Sequence, residues 1–331
     1  MKDNFSIPIL LMMFNRPEDT LKVFLKIREI KPKLLFISSD GPRKNYPSDI
    51  EACEKCLKII DMIDWDCEVK TLVRKVNLGC GVAPAQAITW FFNHVKMGII
   101  IEDDVIPDIS FFGFCERMLL KYEDNEKVMH ISGCYFLNSF TKPSKQSYYF
   151  TKHVHVWGWA TWSRAWEHYC YNLSDYKMIE SKKVLRNYYG AHYIFWRDIY
   201  LSIKNGRRDI WDYQWMYAIF KNSGIAINPN KNLTKNIGFN QDATHTTNED
   251  SIFNKVELES LSEIIDQNDE SIDTEKDNLY YKHFLDFDLV SELRKRNKIW
   301  YLKQILKKLK NGLLLFWKKK KNFHTENVKN F

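Results

Sequence analysis

The fold is decided by one stretch of sequence, Gly98-Ile99-Ile100-Ile101-Glu102-Asp103-Asp104-Val105-Ile106-Pro107. A continuous apolar run of this kind is typical of a strand buried on both faces, as found inside parallel sheets. Open α/β sheets bind ligands at the carboxyl ends of such strands. Three adjacent carboxylates repel one another there unless a cation accompanies them. The stretch therefore indicates either a site for Mg²⁺ or Mn²⁺, which prefer oxygen ligands, or an acidic turn in solvent.

Strand and helix patterns alternate on both sides of this stretch. Apolar or alternating runs predict strands at 7–14, 34–38, 67–73 and 128–132. Helical patterns begin at Pro17 and continue at 50–63, 83–94 and 110–122. Repeated β-loop-α units of this kind predict an α/β fold with a doubly wound, mostly parallel sheet flanked by helices.

Polar residues and glycines follow the predicted strands at the points where the strands end. They are Arg16, Asp40, Gly79 and the acids Glu102, Asp103 and Asp104. Because the carboxyl ends of parallel strands share one edge of a sheet, we expect these residues to gather there. The glycine turn at 79–81 is not a dinucleotide-binding fingerprint, since Pro84 stands where the third glycine would be needed. A GxxxxGK[ST] phosphate-binding loop is also absent from the sequence.

Charge is distributed unevenly along the chain. The 331 residues carry a net charge of +7, but twelve Lys and Arg and no acid lie between Arg294 and Lys321. The rest of the chain is mildly acidic, so a basic body that binds nucleic acid is not supported. Apolar residues from Trp300 recur at three- and four-residue steps, which predicts a basic amphipathic helix on an anionic membrane surface. A helix docked on its own body and an oligomer contact are the alternatives.

The sequence also indicates a compartment. It contains no stretch of 18 uncharged apolar residues, and its N-terminus leads into a strand pattern without the apolar segment of a signal peptide. Among the seven cysteines, Cys53 and Cys56 lie three apart on a helical pattern and the others are scattered, which is typical of free thiols in a reducing compartment. We therefore expect a cytoplasmic protein that associates peripherally with the membrane.

Aromatic residues crowd the region between Tyr148 and Trp215. The tryptophans of Trp157-Gly158-Trp159 would either stack on a sugar ring or pack in the core. His153 and His155 would be either metal ligands or, in the commoner case, ordinary partly buried residues.

Other polar positions stand out in the second half of the chain. Asp212 lies near the start of a predicted helix, where it would be a helix cap or a carboxylate tuned as a base by an apolar wall. The polar loop 237–246 suits a flap that closes over a ligand, and His245 is its strongest donor or ligand. Residues 249–279 are acidic and carry few aromatics, which predicts a linker with short helices.

Taken together, these motifs resemble the GT-A-fold nucleotide-sugar glycosyltransferases, and in particular the N-acetylglucosaminyltransferase I-like group and its bacterial relatives. The resemblance covers residues 7–247. It rests on Phe14-Asn15-Arg16, Ser39-Asp40-Gly41, Asn77-Leu78-Gly79, Glu102-Asp103-Asp104-Val105 with Pro107 and Phe111-Phe112, Trp157-Gly158-Trp159, and Trp211-Asp212 with Trp215-Met216. Glu-Asp-Asp is that group's version of the DxD motif.

The resemblance implies a role for each matched residue of the nucleotide-binding half. Asp104 would bind the Mn²⁺ or Mg²⁺ ion directly. Glu102 and Asp103 would contact the ribose and the sugar of the donor. Asp40 would meet the uracil edge, and Arg16 would lie beside the nucleotide.

The resemblance also implies a catalytic base. Asp212 would deprotonate the acceptor hydroxyl in an inverting, in-line displacement at the anomeric carbon, while the metal stabilises the leaving diphosphate. Eukaryotic members of the group place the base directly before the second tryptophan of Trp-Asp-Asp-Trp. That position is Gln214 here, and Asp212 is the nearest acid. His245 has no counterpart in the group, and we expect it to contact the diphosphate or the metal from the closing loop.

The expected organisation follows from the resemblance. Residues 1–248 would form the GT-A domain, with a nucleotide-binding half at 1–133 and an acceptor half at 134–248, followed by an acidic linker at 249–293 and the basic membrane-surface tail at 294–331. The expected reaction is hexosyl transfer from a UDP-sugar to a glycan or lipid-linked acceptor. A sugar nucleotidyltransferase and a non-catalytic glycan-binding protein are the alternatives. The first would need a glycine- and basic-rich N-terminal loop, and the second leaves the acidic triplet without a purpose.

Overall fold

The computed structural model describes residues 5–238, 253, 255–267, 269–285 and 298. The chain divides into two compact units, Met1–Tyr280 and Tyr281–Phe331. All strands named below belong to the first unit. His245 and, apart from Lys298, the predicted basic tail lie outside the described residues, so the predictions made for them stay predictions. Within the described ranges, no helix is both long and apolar enough to cross a bilayer.

The elements alternate through the first part of the chain as the sequence predicts. The strands are β1 (Ile9–Met13), β2 (Leu34–Ser39), β3 (Glu68–Val73), β4 (Met97–Glu102), β5 (Val105–Pro107), β6 (Val128–Ser132), β7 (Tyr148–Thr151), β8 (Trp159–Trp162), β9 (Ile225–Pro229) and β10 (Thr234–Asn236). The helices are α1 (Pro17–Ile30), α2 (Ser48–Leu57), α3 (Gly79–Phe92), α4 (Ile109–Lys121), α5 (Ser163–Trp166), α6 (Tyr176–Ser181), α7 (Val184–Tyr189), α8 (Tyr193–Lys204), α9 (Asp212–Lys221) and α10 (Thr274–Phe284). Short 3₁₀ helices cover Lys58–Met62 and Gly190–His192.

Eight strands form one sheet in the order β3-β2-β1-β4-β8-β6-β9-β7. The pairs β3/β2, β2/β1, β1/β4 and β6/β9 are parallel. The pairs β4/β8, β8/β6 and β9/β7 are antiparallel. The structure therefore confirms the predicted α/β class with a large, mostly parallel sheet flanked by helices, and it adds two antiparallel strands in the second half.

Helices cover both faces of the parallel half. The alternate residues Ile9 and Leu11 of β1 face a core that includes Phe24 of α1 and Phe111 of α4. On the opposite face, Phe36 of β2 packs edge-on against Phe91 of α3, with 4.9 Å between the ring centroids. Because both faces are buried, these strands consist of apolar runs rather than alternating patterns.

Helix α3 lies unusually close to β4, the strand that leads into the three acids. A Cβ atom added at Gly98 would stand 2.3 Å from Cζ of Phe91. Such a contact is far inside van der Waals distance, so the glycine allows helix and strand to approach. The contact joins the start of β4 to the end of α3, so it fixes the helix against the sheet at the end of the strand opposite to the three acids.

A small two-stranded sheet follows the acids. Asp103 and Asp104 form the turn between β4 and β5, and β5 pairs antiparallel with β10. The backbone N–H of Ile237 donates to the carbonyl of Asp104 over 2.7 Å. The loop predicted as a flap therefore starts beside the acids, although its residues from 239 to 246 lie outside the described part.

Part of the predicted acidic linker belongs to the first unit and packs against α4. Asp266 pairs with Lys121 over 2.9 Å and with Arg117 over 3.0 Å, both on α4. The N–H of Ser147 donates to the carbonyl of Ile265 over 2.9 Å. Asp266 thus pairs with basic side chains of α4. Composition alone predicts a linker here, because it carries no information about such long-range pairs.

Candidate active site

One basic side chain reaches the acids from the β1–α1 connection. Arg16 precedes Pro17, the first residue of α1, and lies outside the helix. Its Nη1 atom donates to Oδ1 of Asp103 over 3.1 Å and to Oδ2 of Asp104 over 2.7 Å. The strands β1 and β4 are parallel neighbours, so the two predicted positions meet at the same edge of the sheet. The structure thus brings together Arg16, Asp103 and Asp104, as the sequence predicts.

Asp103 is held from a second side. Its Oδ2 atom accepts the backbone N–H of Phe14 over 2.9 Å, and only 5% of the residue is exposed. Burial, followed by the charge of Asp104, raises the pKa of the Asp103 carboxyl, while Arg16 opposes the rise. Both oxygens of Asp103 have donors, so this carboxylate ties the β1–α1 connection to the end of β4.

Asp104 keeps one oxygen available. Its Oδ1 atom is buried and has no hydrogen-bond partner among the described residues, whereas Oδ2 binds Arg16. Burial raises the pKa of Asp104, and Arg16 opposes that rise. The side chain is closely packed, because a Cβ added at Gly238 would stand 2.2 Å from Oδ2 of Asp104. A buried carboxylate oxygen without a donor is a feature that a bound cation would explain.

Glu102 completes the group of acids at the last position of β4. Burial raises its pKa, and the charges of Asp104, Asp103 and Asp212 raise it further. Asp104 and Glu102 therefore fit a cation bound by one or two carboxylates, the arrangement in which Mg²⁺ keeps several waters and also binds substrate phosphates. Among the described residues there is no group of three or more His, Cys, Asp or Glu side chains arranged to hold a metal by themselves.

Asp212 lies at the first position of α9 and is partly exposed. Its charge contributes to the raised pKa values of Glu102 and Tyr169, so it lies within electrostatic range of one of the three acids. Gln214, two residues later, is 1% exposed, and its Nε2 donates to the carbonyl of Ile210 over 2.6 Å. The helix therefore leaves Asp212 partly exposed at its start and places Gln214 in the core.

Asp40, at the end of β2, lies at the start of α3. Its carboxylate accepts the backbone N–H groups of Gly41 at 3.0 Å and of Gly79 at 3.2 Å. It also accepts the N–H of Leu78 and the side-chain amide of Asn77, the latter over 2.9 Å. These bonds explain why α3 begins at Gly79, four residues before the predicted start. The predicted contact between Asp40 and a nucleotide base stays a prediction.

Asp49 joins two loops of the site and was missed at the level of sequence. This buried residue in the first turn of α2 accepts two N–H groups of the Arg43 guanidinium, at 2.6 and 2.9 Å, and the amide of Asn15 at 2.8 Å. The Arg43 guanidinium also lies 3.9 Å from the ring centroid of Tyr46. The acid at a helix start was visible in the sequence, but its partner Asn15 is 34 positions away.

The aromatic region is mostly core. Trp159 is fully buried and stacks on His130, with ring centroids 5.2 Å apart. His153 is buried as well, and its ring lies 4.3 Å from that of Tyr280. Trp157 differs, because it is only partly buried and packs edge-on against Phe136. Of the two tryptophans in Trp157-Gly158-Trp159, only Trp157 is partly exposed.

Comparisons with known proteins give a weak likeness. No protein-family model and no curated protein sequence matches the chain. The inositol-1-phosphate CTP transferase from T. maritima matches with 8% identity and a TM-score of 0.37, over 75% of this chain and 94% of that chain. Mouse xyloside xylosyltransferase 1 matches with 12% identity and a TM-score of 0.29, over 65% of this chain and 81% of that chain. At these TM-scores the likeness assigns no activity to this chain.

The ion pair between Asp49 and Arg43 predicts a specific dependence of stability on pH. Arg43 lowers the pKa of Asp49 from 3.8 to about 2. The pair therefore stabilises the fold above about pH 4, and this stabilisation disappears as the pH falls from about 4 towards 2. Asp49→Asn should lower the free energy of unfolding by about 2 kcal/mol at pH 7, and the difference from the wild type should shrink below pH 4. Chemical denaturation at a series of pH values measures this difference, and a constant difference from pH 7 to pH 2 would exclude the linkage.

Proposed function

We propose that this protein is a divalent-metal-dependent glycosyltransferase that moves a hexosyl group from a UDP-sugar to a glycan or lipid-linked acceptor. The observation that carries the proposal is the buried Oδ1 of Asp104, which lacks a donor among the described residues. It lies among three acids at the carboxyl end of β4, with Arg16 beside them. An uncompensated acidic group next to a guanidinium suits a ligand that brings both a cation and an anionic diphosphate.

In this proposal, the acids and Arg16 contact different parts of the donor. Asp104, with Glu102 near it, would hold Mn²⁺ or Mg²⁺, which supplies positive charge to stabilise the leaving diphosphate. Arg16 would bind diphosphate oxygens, for which its planar guanidinium has suitable geometry. Asp103 is held by Phe14 and Arg16. It would keep Arg16 in position and contact the donor.

Asp212 is proposed as the general base. It is partly exposed, and its charge acts on Glu102, so it lies within electrostatic range of the proposed donor site. A carboxylate at this position would accept the proton of the acceptor hydroxyl as that oxygen attacks the anomeric carbon, which inverts its configuration. Gln214 cannot take this role, because its amide is neutral and it is buried against Ile210. Trp157, which is partly exposed, is the proposed surface for an acceptor sugar.

The metal requirement is tested by calorimetric titration of UDP into the protein with and without Mn²⁺. Wild-type protein should bind UDP only with Mn²⁺, and Asp104→Asn should weaken this binding about a hundredfold (~3 kcal/mol), because the variant loses a charged ligand oxygen. Asp64→Asn is the matched control, since Asp64 is an exposed acid that pairs with Arg28. If the affinity for UDP changes neither with Mn²⁺ nor in Asp104→Asn, the proposed site is refuted. Release of pyrophosphate from a nucleoside triphosphate and a sugar phosphate would instead identify a nucleotidyltransferase.

The role of Asp212 is tested by separating donor binding from turnover. Asp212→Asn should leave the Kd for UDP with Mn²⁺ unchanged and lower the rate of UDP release from UDP-sugars about 10²- to 10⁴-fold, the range typical of a lost general base. The measurement is coupled detection of UDP with a panel of UDP-sugars and acceptor sugars. Asp198→Asn, an exposed acid on α8, serves as the control. A variant that loses UDP affinity but keeps its turnover rate would make Asp212 a structural residue.

A further inference from the structure

The guanidinium of Arg16 offsets part of the negative charge at the end of β4. It contacts Asp103 and Asp104 through the same Nη1 atom. Among the described residues, no other Lys or Arg forms an ion pair with Glu102, Asp103 or Asp104. In the absence of ligand, the charge balance of the site therefore depends on a protein cation.

Arg16 and a bound cation would compete for the same carboxylate. A divalent cation at Oδ1 of Asp104 would lie within a few ångströms of the guanidinium on Oδ2, and like charges at that distance repel strongly in a buried site. Asp103 is less affected, because the N–H of Phe14 holds it independently. The ion pair that would break is therefore the one between Arg16 and Asp104.

The position of Arg16 also allows its guanidinium to move away from Asp104. It lies before the first residue of α1, where its φ and ψ are −118° and 74°, and it makes no side-chain cap hydrogen bond to the helix. Its side chain is 27% exposed, in contrast to 9% for that of Asp104. The guanidinium can therefore rotate outwards about its side-chain bonds without moving the helix.

We propose that Arg16 is an exchangeable counter-ion, which a divalent cation displaces from Asp104 and which then binds the diphosphate of the nucleotide. This inference rests on the proposed function for the identity of the ligand. Displacement lowers the affinity for the cation alone, and the released guanidinium raises the affinity for the anion. Cation and nucleotide consequently bind with positive coupling, and by linkage each raises the affinity of the other by the same factor.

The exchange predicts that removing Arg16 changes the two affinities in opposite directions. Without nucleotide, Arg16→Gln should bind Mn²⁺ about tenfold more tightly than the wild type, as reported by loss of the electron paramagnetic resonance signal of free Mn²⁺. In saturating Mn²⁺, the same variant should bind UDP about tenfold more weakly by calorimetry. Arg28→Gln removes the same charge from an exposed pair with Asp64 and should change neither affinity.

A second measurement covers the case in which Arg16→Gln does not fold. Nitrogen NMR of arginine side chains in the wild type, assigned with Arg16→Lys, reports whether the guanidinium is held. Mg²⁺ alone should shift and narrow the Arg16 signal, and further addition of UDP should broaden it again. An Arg16 signal that Mg²⁺ does not change, at concentrations that saturate the protein, would overturn the exchange.

The outcomes separate this inference from the proposed function. If the wild type binds Mn²⁺ and UDP together but Arg16→Gln weakens both, Arg16 is a fixed part of the site and the exchange is wrong while the proposed function stands. If the wild type binds neither Mn²⁺ nor UDP, both proposals fail. Only tighter Mn²⁺ binding combined with weaker UDP binding supports the exchange.

Discussion

Mutual repulsion among three carboxylates at the end of one buried strand is the constraint on which this edge of the structure depends. Glu102, Asp103 and Asp104 follow an apolar strand that places them beside the core, where charge is costly. The guanidinium of Arg16 and the N–H of Phe14 offset part of that cost from β1. Both partners come from the connection that follows the parallel neighbour strand β1, so the sheet topology itself supplies the compensation.

The surrounding elements are arranged to hold this edge in place. Asp40 accepts an N–H group at the start of α3. Asp49 connects the loops that follow β1 and β2. The site is therefore built from loops that are bonded to one another, which limits reorganisation when a charged ligand binds.

Local patterns predicted β1, β2 and β4 because each apolar run there is a buried strand. They also predicted the partly exposed β3, whose pattern alternates. The meeting of Arg16 with Asp103 and Asp104 was also predictable, since parallel strands end at one edge. The direction of β7 and β8 was not predictable from the sequence, because an apolar strand has the same pattern whether its neighbours are parallel or antiparallel. Other features join distant parts of the chain, so no local pattern contains them. They are the bonds of Asp40 to the start of α3, the network of Asp49 and the packing of residues 255–267.

The most direct test of the central claim is an anomalous difference map from a crystal grown with Mn²⁺ and UDP. We predict one Mn²⁺ peak in contact with Asp104, with the Arg16 guanidinium moved from Asp104 to a phosphate oxygen. UDP bound at the end of β4 without a Mn²⁺ peak, or a Mn²⁺ ion bound away from Asp104, would contradict it.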